Sequence, residues 1–384
     1  MRVMEAGMGG GGDAGKQLNL LNPRSDNHPG FPASLLPVLD QRARGTRFIE
    51  LSVKSVLNTP ASTHMGFWSI NPYVGCEFGC MYCYARDTHR WVVERAERQN
   101  GGKSVSDEEG TKAGIPAYRL THLPPEEAFE KEILVKSEVA DVLARTLNPA
   151  RLAGQSLVIG TATDPYQPAE RRFRLTRRIL EVLTSYHGLS IEIITKSPLV
   201  TRDLEVLQRL SRHNEVNVNI SLATADARLA RRLELRSPVP AARLRALRRL
   251  TGGGIYAGLI VAPIIPGITD DWAGLARLLE AAREAGARYV IGSALRLGPA
   301  ARHRFLPFLQ REFPQLYERY RRHYAKSDLS SRSYQEALTR RLNALRQAFG
   351  FAGDEASSRR RRRLENSERE AVPTDESVEQ PVLL

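Results

Sequence analysis

Six short runs of β-branched and aliphatic residues recur through the middle of the chain: Phe67–Ile70, Leu157–Gly160, Ile191–Thr195, Val216–Ser221, Ile255–Val261 and Tyr289–Leu295. Between them apolar residues return at helical spacing. Those stretches are Tyr84–Arg98, Pro125–Leu147, Leu175–Leu183, Leu204–Leu210, two arginine-rich segments near 226–236 and 240–250, and Trp272–Ala285, closed by Gly286. The longest, Pro125–Leu147, carries Phe129, Ile133, Leu134, Val139, Val142 and Leu143 at the spacing of one helix face. Short strands alternating with helices predict a parallel α/β fold. Periodicity alone does not separate a barrel from an open sheet. Ahead of the first run, Arg47–Leu57 alternates as a short strand or extended arm.

The flanks read differently. Residues 1–45 contain Gly9–Gly12 and scattered prolines, the composition of a flexible leader. Residues 99–116, rich in glycine and charge, are expected to form an exposed insertion in a core spanning 46–300. A helical extension follows over 301–353, with Phe305, Phe308, Leu309, Phe313, Leu316, Tyr317 and Tyr320 as packing residues. From 354 to 384 the sequence turns polar, with Arg359–Arg363 ahead of an acidic end, and reads as a disordered tail and a solvated charge run.

Composition narrows this little. At 384 residues and 42% hydrophobic, the chain can bury one large core. No apolar run reaches the ~18 residues that span a bilayer. The net charge of +13 favours a polyanion at the surface, yet only 8 of the 56 basic residues are lysine, a skew that a GC-rich coding sequence also produces.

The chemistry concentrates in one stretch. All three cysteines, Cys76, Cys80 and Cys83, lie within eight residues, spaced Cys-x3-Cys-x2-Cys, with Tyr82 before the last. Three thiolates near Gly75 and Gly79 can converge on one soft metal centre. A closed zinc or iron–sulfur site takes four ligands, so three leave one position open. Two other readings stand beside this one: packing of buried cysteines on a helix face, and a zinc site completed by His64 or His89. Clustered, unpaired cysteines suit a reducing cytoplasm.

The string Asn71-Pro72-Tyr73-Val74-Gly75-Cys76-Glu77-Phe78-Gly79-Cys80-Met81-Tyr82-Cys83-Tyr84-Ala85-Arg86 resembles the motif of radical SAM enzymes, in the spore-photoproduct-lyase-like branch. Gly160–Glu170 and Ile194–Pro198 resemble that branch as well, and the likeness covers about residues 60 to 300. It implies a partial (β/α)6 TIM-type barrel with a helical C-terminal extension. It also implies a [4Fe–4S] cluster held by Cys76, Cys80 and Cys83, with S-adenosylmethionine on the fourth iron. An external one-electron donor, flavodoxin- or ferredoxin-like, would reduce the cluster. SAM would then yield a 5′-deoxyadenosyl radical that abstracts hydrogen from the substrate.

In a parallel barrel the chemistry sits on loops after the strands. By the resemblance, Tyr82 packs beside the cluster with its backbone near the adenine. Thr161, Thr163 and Asp164, in place of the family's Gly-Gly-Glu segment, would offer oxygens to the SAM ammonium. Lys196, the only lysine between Lys136 and Lys326, suits the SAM carboxylate, and Ser221 the ribose or methionine moiety. Ala262–Gly267 forms an apolar lip suited to adenine, and Arg296 could meet an anionic group. Spore photoproduct lyase uses a further cysteine after strand two as hydrogen donor, where this chain has Thr161 and Ala162. Repair of that lesion by that route is therefore not expected. The substrate is open, with nucleic acid one class. The rival reading is a non-catalytic, metal- or iron–sulfur-containing nucleic-acid-binding protein.

Overall fold

The computed structural model describes residues 38–41 (backbone), 45–63, 65–89 and 123–351. The expected insertion at 99–116, the tail at 354–384, His64 and the second half of the Tyr84–Arg98 helix lie outside the described residues. So does the 1–45 leader apart from Gly45 and a strand, β1 (Val38–Gln41), which pairs antiparallel with β2 (Arg47–Glu50).

The remaining strands are β3 (Leu57–Asn58), β4 (Trp68–Ile70), β5 (Tyr73–Val74), β6 (Glu132–Val135), β7 (Ser156–Ile159), β8 (Ser190–Thr195), β9 (Glu215–Ser221), β10 (Tyr256–Ile264) and β11 (Val290–Ala294). They form two sheets. The larger runs β11-β10-β9-β8-β7-β4-β3, and its six strands from β4 to β11 are all parallel. These are the six runs read from the sequence. Edges remain at β11 and β3, so this is a partial barrel, not a closed one.

The second sheet, β1-β2-β6-β5, carries the one clear error of the periodicity reading. Pro125–Leu147 is not one helix but a helix Pro125–Lys131, the strand β6 and a helix Val139–Thr146. All four residues of β6 are buried, parallel to β2 and antiparallel to β5. A fully buried strand has no alternation to show, so its apolar run passes for a helix turn.

Alternation organises the parallel sheet. Leu157, Ile159, Ile191, Ile193, Val216, Val218 and Ile220 join one hydrophobic core with the helices. Ser69, Glu192, Asn219 and Ser221, at the intervening positions, belong to the opposite face. The core-forming helices Leu175–Leu183, Leu204–Leu210, Pro240–Gly252 and Trp272–Glu284 match the sequence reading closely.

Among the described residues the C-terminal region is three helices, Pro299–Glu312, Pro314–Tyr324 and Arg332–Ala348. The last lies on the sheet, where a Cβ on Gly292 would come within 2.6 Å of Leu342. The first two bring Phe305, Phe308, Leu309, Tyr320 and Tyr324 into a second core with Cys76, Phe78, Cys80, Met81 and Tyr82. The extension thus roofs the cysteine loop. Among the described residues no helix is long and apolar enough to cross a membrane.

Candidate active site

The cysteine loop follows β4 and β5 and is pinned from three sides. Gly75 and Gly79 both have positive φ, 95° and 64°. Neither tolerates a side chain. A Cβ on Gly75 would stand 2.9 Å from His89 Nε2 and from the Phe129 carbonyl, and one on Gly79 would stand 2.6 Å from the Arg236 guanidinium. The segment after β7 forms the second clamp. Asn71 Oδ1 accepts from the Ala162 amide at 2.8 Å, and its Nδ2 donates to Thr161 Oγ1 at 3.1 Å. Thr163 Oγ1 and Gln167 Nε2 both donate to the Gly75 carbonyl, at 2.6 and 3.1 Å, and Gln167 Oε1 accepts from the Glu77 amide. The Tyr84 hydroxyl donates to the Thr161 carbonyl.

The third clamp comes from the segment after β9. Met81 N donates to the Leu233 carbonyl at 2.9 Å, Arg236 N to the Phe78 carbonyl at 3.1 Å, and Cys80 bridges Glu234 in antiparallel fashion. Glu234 is 2% exposed and accepts from the Tyr82 hydroxyl and from Arg243. Burial pushes its carboxyl up, but Arg243 and Lys196 together hold it below its ordinary value. Arg243 is itself buried and also donates to the Ser221 carbonyl at 2.9 Å.

Lys196 stands one residue beyond β8. Its Nζ donates to Ser221 Oγ at 2.8 Å, lies 3.9 Å from Glu234 Oε1 and sits 5.8 Å from the centre of the Tyr82 ring. Asp164 lies beneath it, accepting from the Lys196 amide at 2.7 Å, Thr195 Oγ1 at 2.6 Å and the Tyr166 amide at 2.9 Å. Burial still leaves the Asp164 carboxyl raised. Of the residues singled out in the sequence, Tyr82, Lys196 and Ser221 come together in one group. Thr161, Thr163 and Asp164 use their side chains on neighbouring protein atoms. Arg296 is exposed after β11, and Ile264 and Ile265 of the apolar lip are buried.

Cys76 and Cys80 are buried and Cys83 is half-buried. The thiols stand close enough for their charges to act on one another. Burial, reinforced by Glu234, pushes the Cys80 thiol up to about 12. Burial also raises Cys83, against the pull of Arg86 and Lys196. Without a positive centre these groups hold their protons, so binding a metal centre must release them. Among the described residues no three His, Cys, Asp or Glu side chains form the cage of a single metal ion. An iron–sulfur cluster would take its protein ligands from Cys76, Cys80 and Cys83 as thiolates. A pinned loop of three thiols flanked by Lys196 and Arg86 fits an iron–sulfur cluster.

Sequence reading missed Glu234, Arg243 and Glu130, and gave Gln167 no role within the Gly160–Glu170 string. Asn71 and Arg86 lay within the motif string without a role. Glu234 and Arg243 sit in segments read only as arginine-rich and helical, and nothing local marks them as buried. The arginines there are in part internal: Arg243 is 1% exposed, and Arg236 donates to the Glu77 carbonyl at 2.5 Å.

Known proteins give the same answer. Residues 70–279 match the family model of the Radical SAM superfamily. An uncharacterised protein of Mycobacterium bovis is 32% identical over 312 residues, 81% of this chain and 83% of that one, and one of Mycobacterium tuberculosis matches with the same figures. An uncharacterised protein of Methanocaldococcus jannaschii is 27% identical over 222 residues, 58% of this chain and 69% of its own length. The chain belongs to the radical SAM superfamily. Its fold is that of spore photoproduct lyase. A tyrosine-to-phenylalanine mutant of that lyase superposes with a TM-score of 0.52 at 13% identity, over 79% of this chain and 80% of the lyase. A cysteine-to-alanine mutant with dinucleoside spore photoproduct also superposes with a TM-score of 0.52 at 13% identity, over 80% of both chains. As a member of the superfamily, the chain is an enzyme that uses a [4Fe–4S] cluster and S-adenosylmethionine and needs an external reductant.

Proposed function

We propose that Cys76, Cys80 and Cys83 hold the cluster, and that Lys196 and Ser221 receive the carboxylate end of S-adenosylmethionine beside it. When bound, cluster and SAM supply a 5′-deoxyadenosyl radical that takes hydrogen from an organic substrate. The observation that carries this reading is the 2.8 Å contact of Lys196 Nζ with Ser221 Oγ, at the ends of adjacent parallel strands and within electrostatic reach of Cys80 and Cys83. A carboxylate arriving there meets an ammonium and a hydroxyl already oriented. Glu234 and Arg243 position that ammonium and the Tyr82 ring from below. Thr161, Thr163 and Asp164 hold the segment after β7 against the cysteine loop, and the oxygens of that segment are the acceptors offered to the SAM ammonium. Tyr82 covers the cluster with its backbone toward the adenine, by the family pattern.

Nucleic acid as substrate draws support from the net charge of +13 and from the lyase fold captured with a dinucleoside photoproduct. It draws less from the arginines between β9 and β10, since Arg236 and Arg243 already bond within the protein, to the Glu77 carbonyl and to Glu234. By the resemblance, Thr161 and Ala162 are the nearest counterparts of the lyase's hydrogen-donating cysteine, and a threonine O–H bond is too strong for that step. The product-forming step therefore differs from the lyase's. Anaerobic reconstitution, followed by reductant and SAM, tests the core of the reading. Release of 5′-deoxyadenosine is the expected result, and its absence from cluster-loaded protein under all substrates tried would overturn it.

A further inference from the structure

Behind the cysteine loop lies a second charged group that the SAM site does not use. Glu130, 5% exposed, is ringed by three guanidinium groups. Arg86 and Arg236 each reach it at 2.5 Å, and Arg304 at 3.4 Å. Burial alone would raise the Glu130 carboxyl, and the three arginines hold it down instead. Three guanidinium charges against one carboxylate leave two positive charges in excess. The group grips the cluster loop directly: Arg86 donates to the Cys80 carbonyl at 2.7 Å, and the Arg236 guanidinium fills the space where Gly79 would carry a side chain.

This excess reaches solvent. The side chain of Arg236 is 36% exposed and that of Arg304 30%. Arg304 also keeps a buried Nε without a hydrogen-bond partner. At Arg236, then, a single side chain separates solvent from the residue next to a cluster ligand. None of the ion pairs made by Glu130 and these arginines involves Lys196 or Ser221, so the patch and the SAM site are joined through the cysteine loop and the Glu234–Arg236 segment.

We infer that Arg236 and Arg304, backed by Arg86 and Glu130, form the docking surface for the electron donor, an acidic one-electron carrier of the flavodoxin or ferredoxin class. The inference rests on the radical SAM reading of the cluster. The donor loses one electron and the cluster gains it, with no bond or proton exchanged. Two features favour a redox protein over a nucleic acid. The patch lies against the cluster loop, where an electron must enter, and it is compact, with three guanidinium groups gathered on one buried carboxylate. Opposite charges across such a surface raise the encounter rate and make it salt-dependent.

The test reads reduction of the reconstituted cluster by loss of visible absorbance, without SAM or substrate, so that failure of SAM cleavage does not affect it. The variants are Arg236→Gln/Arg304→Gln, Arg304→Gln alone, which leaves two arginines on Glu130, and Arg332→Gln on a remote surface as control. At low salt, reduction by reduced flavodoxin is expected to slow about tenfold or more in the double variant and to lose most of its salt dependence. Arg304→Gln should fall between, and Arg332→Gln should match the parent. Reduction by a small chemical donor should be unchanged in Arg304→Gln, and in the double variant, which also frees the loop that Arg236 grips, the flavodoxin rate should fall further than the small-donor rate. Equal slowing with both donors would mean a purely structural role. An unchanged flavodoxin rate would overturn the assignment. So would loss of salt-dependent duplex-DNA binding in the double variant with normal flavodoxin kinetics, which would make the patch a nucleic-acid surface.

Discussion

Lys196 and Ser221, 25 residues apart in the chain, meet with Nζ 2.8 Å from Oγ because β8 and β9 pair in parallel with Thr195 opposite Ile220. The next pair in that register is Lys196 and Ser221, at the strand ends where a parallel barrel places its chemistry. Replacing Lys196 with alanine should therefore leave the cluster intact and weaken SAM binding by about 1.5–3 kcal/mol, the size of a lost charge-assisted contact. Equilibrium binding to the reconstituted protein measures this. SAM affinity equal to the parent's would remove Lys196 from the ligand set.

Cys76, Cys80 and Cys83 should behave as one unit. Each single Cys→Ala variant leaves two thiolates, too few for a cubane with one open iron. Loss of both the visible absorbance and 5′-deoxyadenosine formation is expected in all three. A variant that kept its absorbance would point to a different ligand set.

Glu234 carries a structural charge balance with Arg243. Glu234→Ala strands a guanidinium that is 1% exposed, and should cost about 3–5 kcal/mol in denaturant unfolding. Glu234→Ala/Arg243→Met removes both charges and should cost clearly less than the two single changes added together. Simple additivity would deny the pairing.

Lys136, at the end of β6, is 5% exposed, and burial lowers its ammonium to about 8. The folded state therefore gives up this proton near pH 8, while the unfolded chain keeps it to about 10.4. Between those values the unfolded state binds more protons, so stability from this group rises with pH and the cost of the buried charge is full below pH 8. Lys136→Met should raise stability at pH 7 by about 2–3 kcal/mol, with the gain shrinking towards pH 10. Thermal unfolding across that range checks it; a gain independent of pH would mean that packing, not charge, is responsible.

For nucleic acid, binding of cluster-loaded protein to duplex DNA should weaken by about 0.9 log units per log unit of salt for each phosphate neutralised. Binding that disappears only when residues 354–384 are removed would assign the interaction to the tail. No binding at low salt would take nucleic acid out of the active site.

The sequence by itself determined the parallel α/β class, the six strands of the half-barrel and the cysteine loop. Each of these is written locally, in alternating strands, 3.6-residue spacing and three cysteines within eight positions. It also singled out Lys196 and Ser221, because strand ends in such a fold are predictable places. Only the tertiary structure decided that Glu132–Val135 is a strand. Burial on both faces erased the alternation, and pairing with β2 and β5 overrode the helical spacing. The same holds for Glu234, Arg243 and Glu130. Their partners, Tyr82, Lys196, Arg86 and Arg304, come from distant segments, and a charged residue's burial depends on neighbours its own segment does not contain. The arginine-rich stretches show the limit most clearly: composition counts Arg236 and Arg243 alike as surface charge, while the fold buries Arg243 against Glu234 and leaves Arg236 partly exposed with its guanidinium on the cysteine loop.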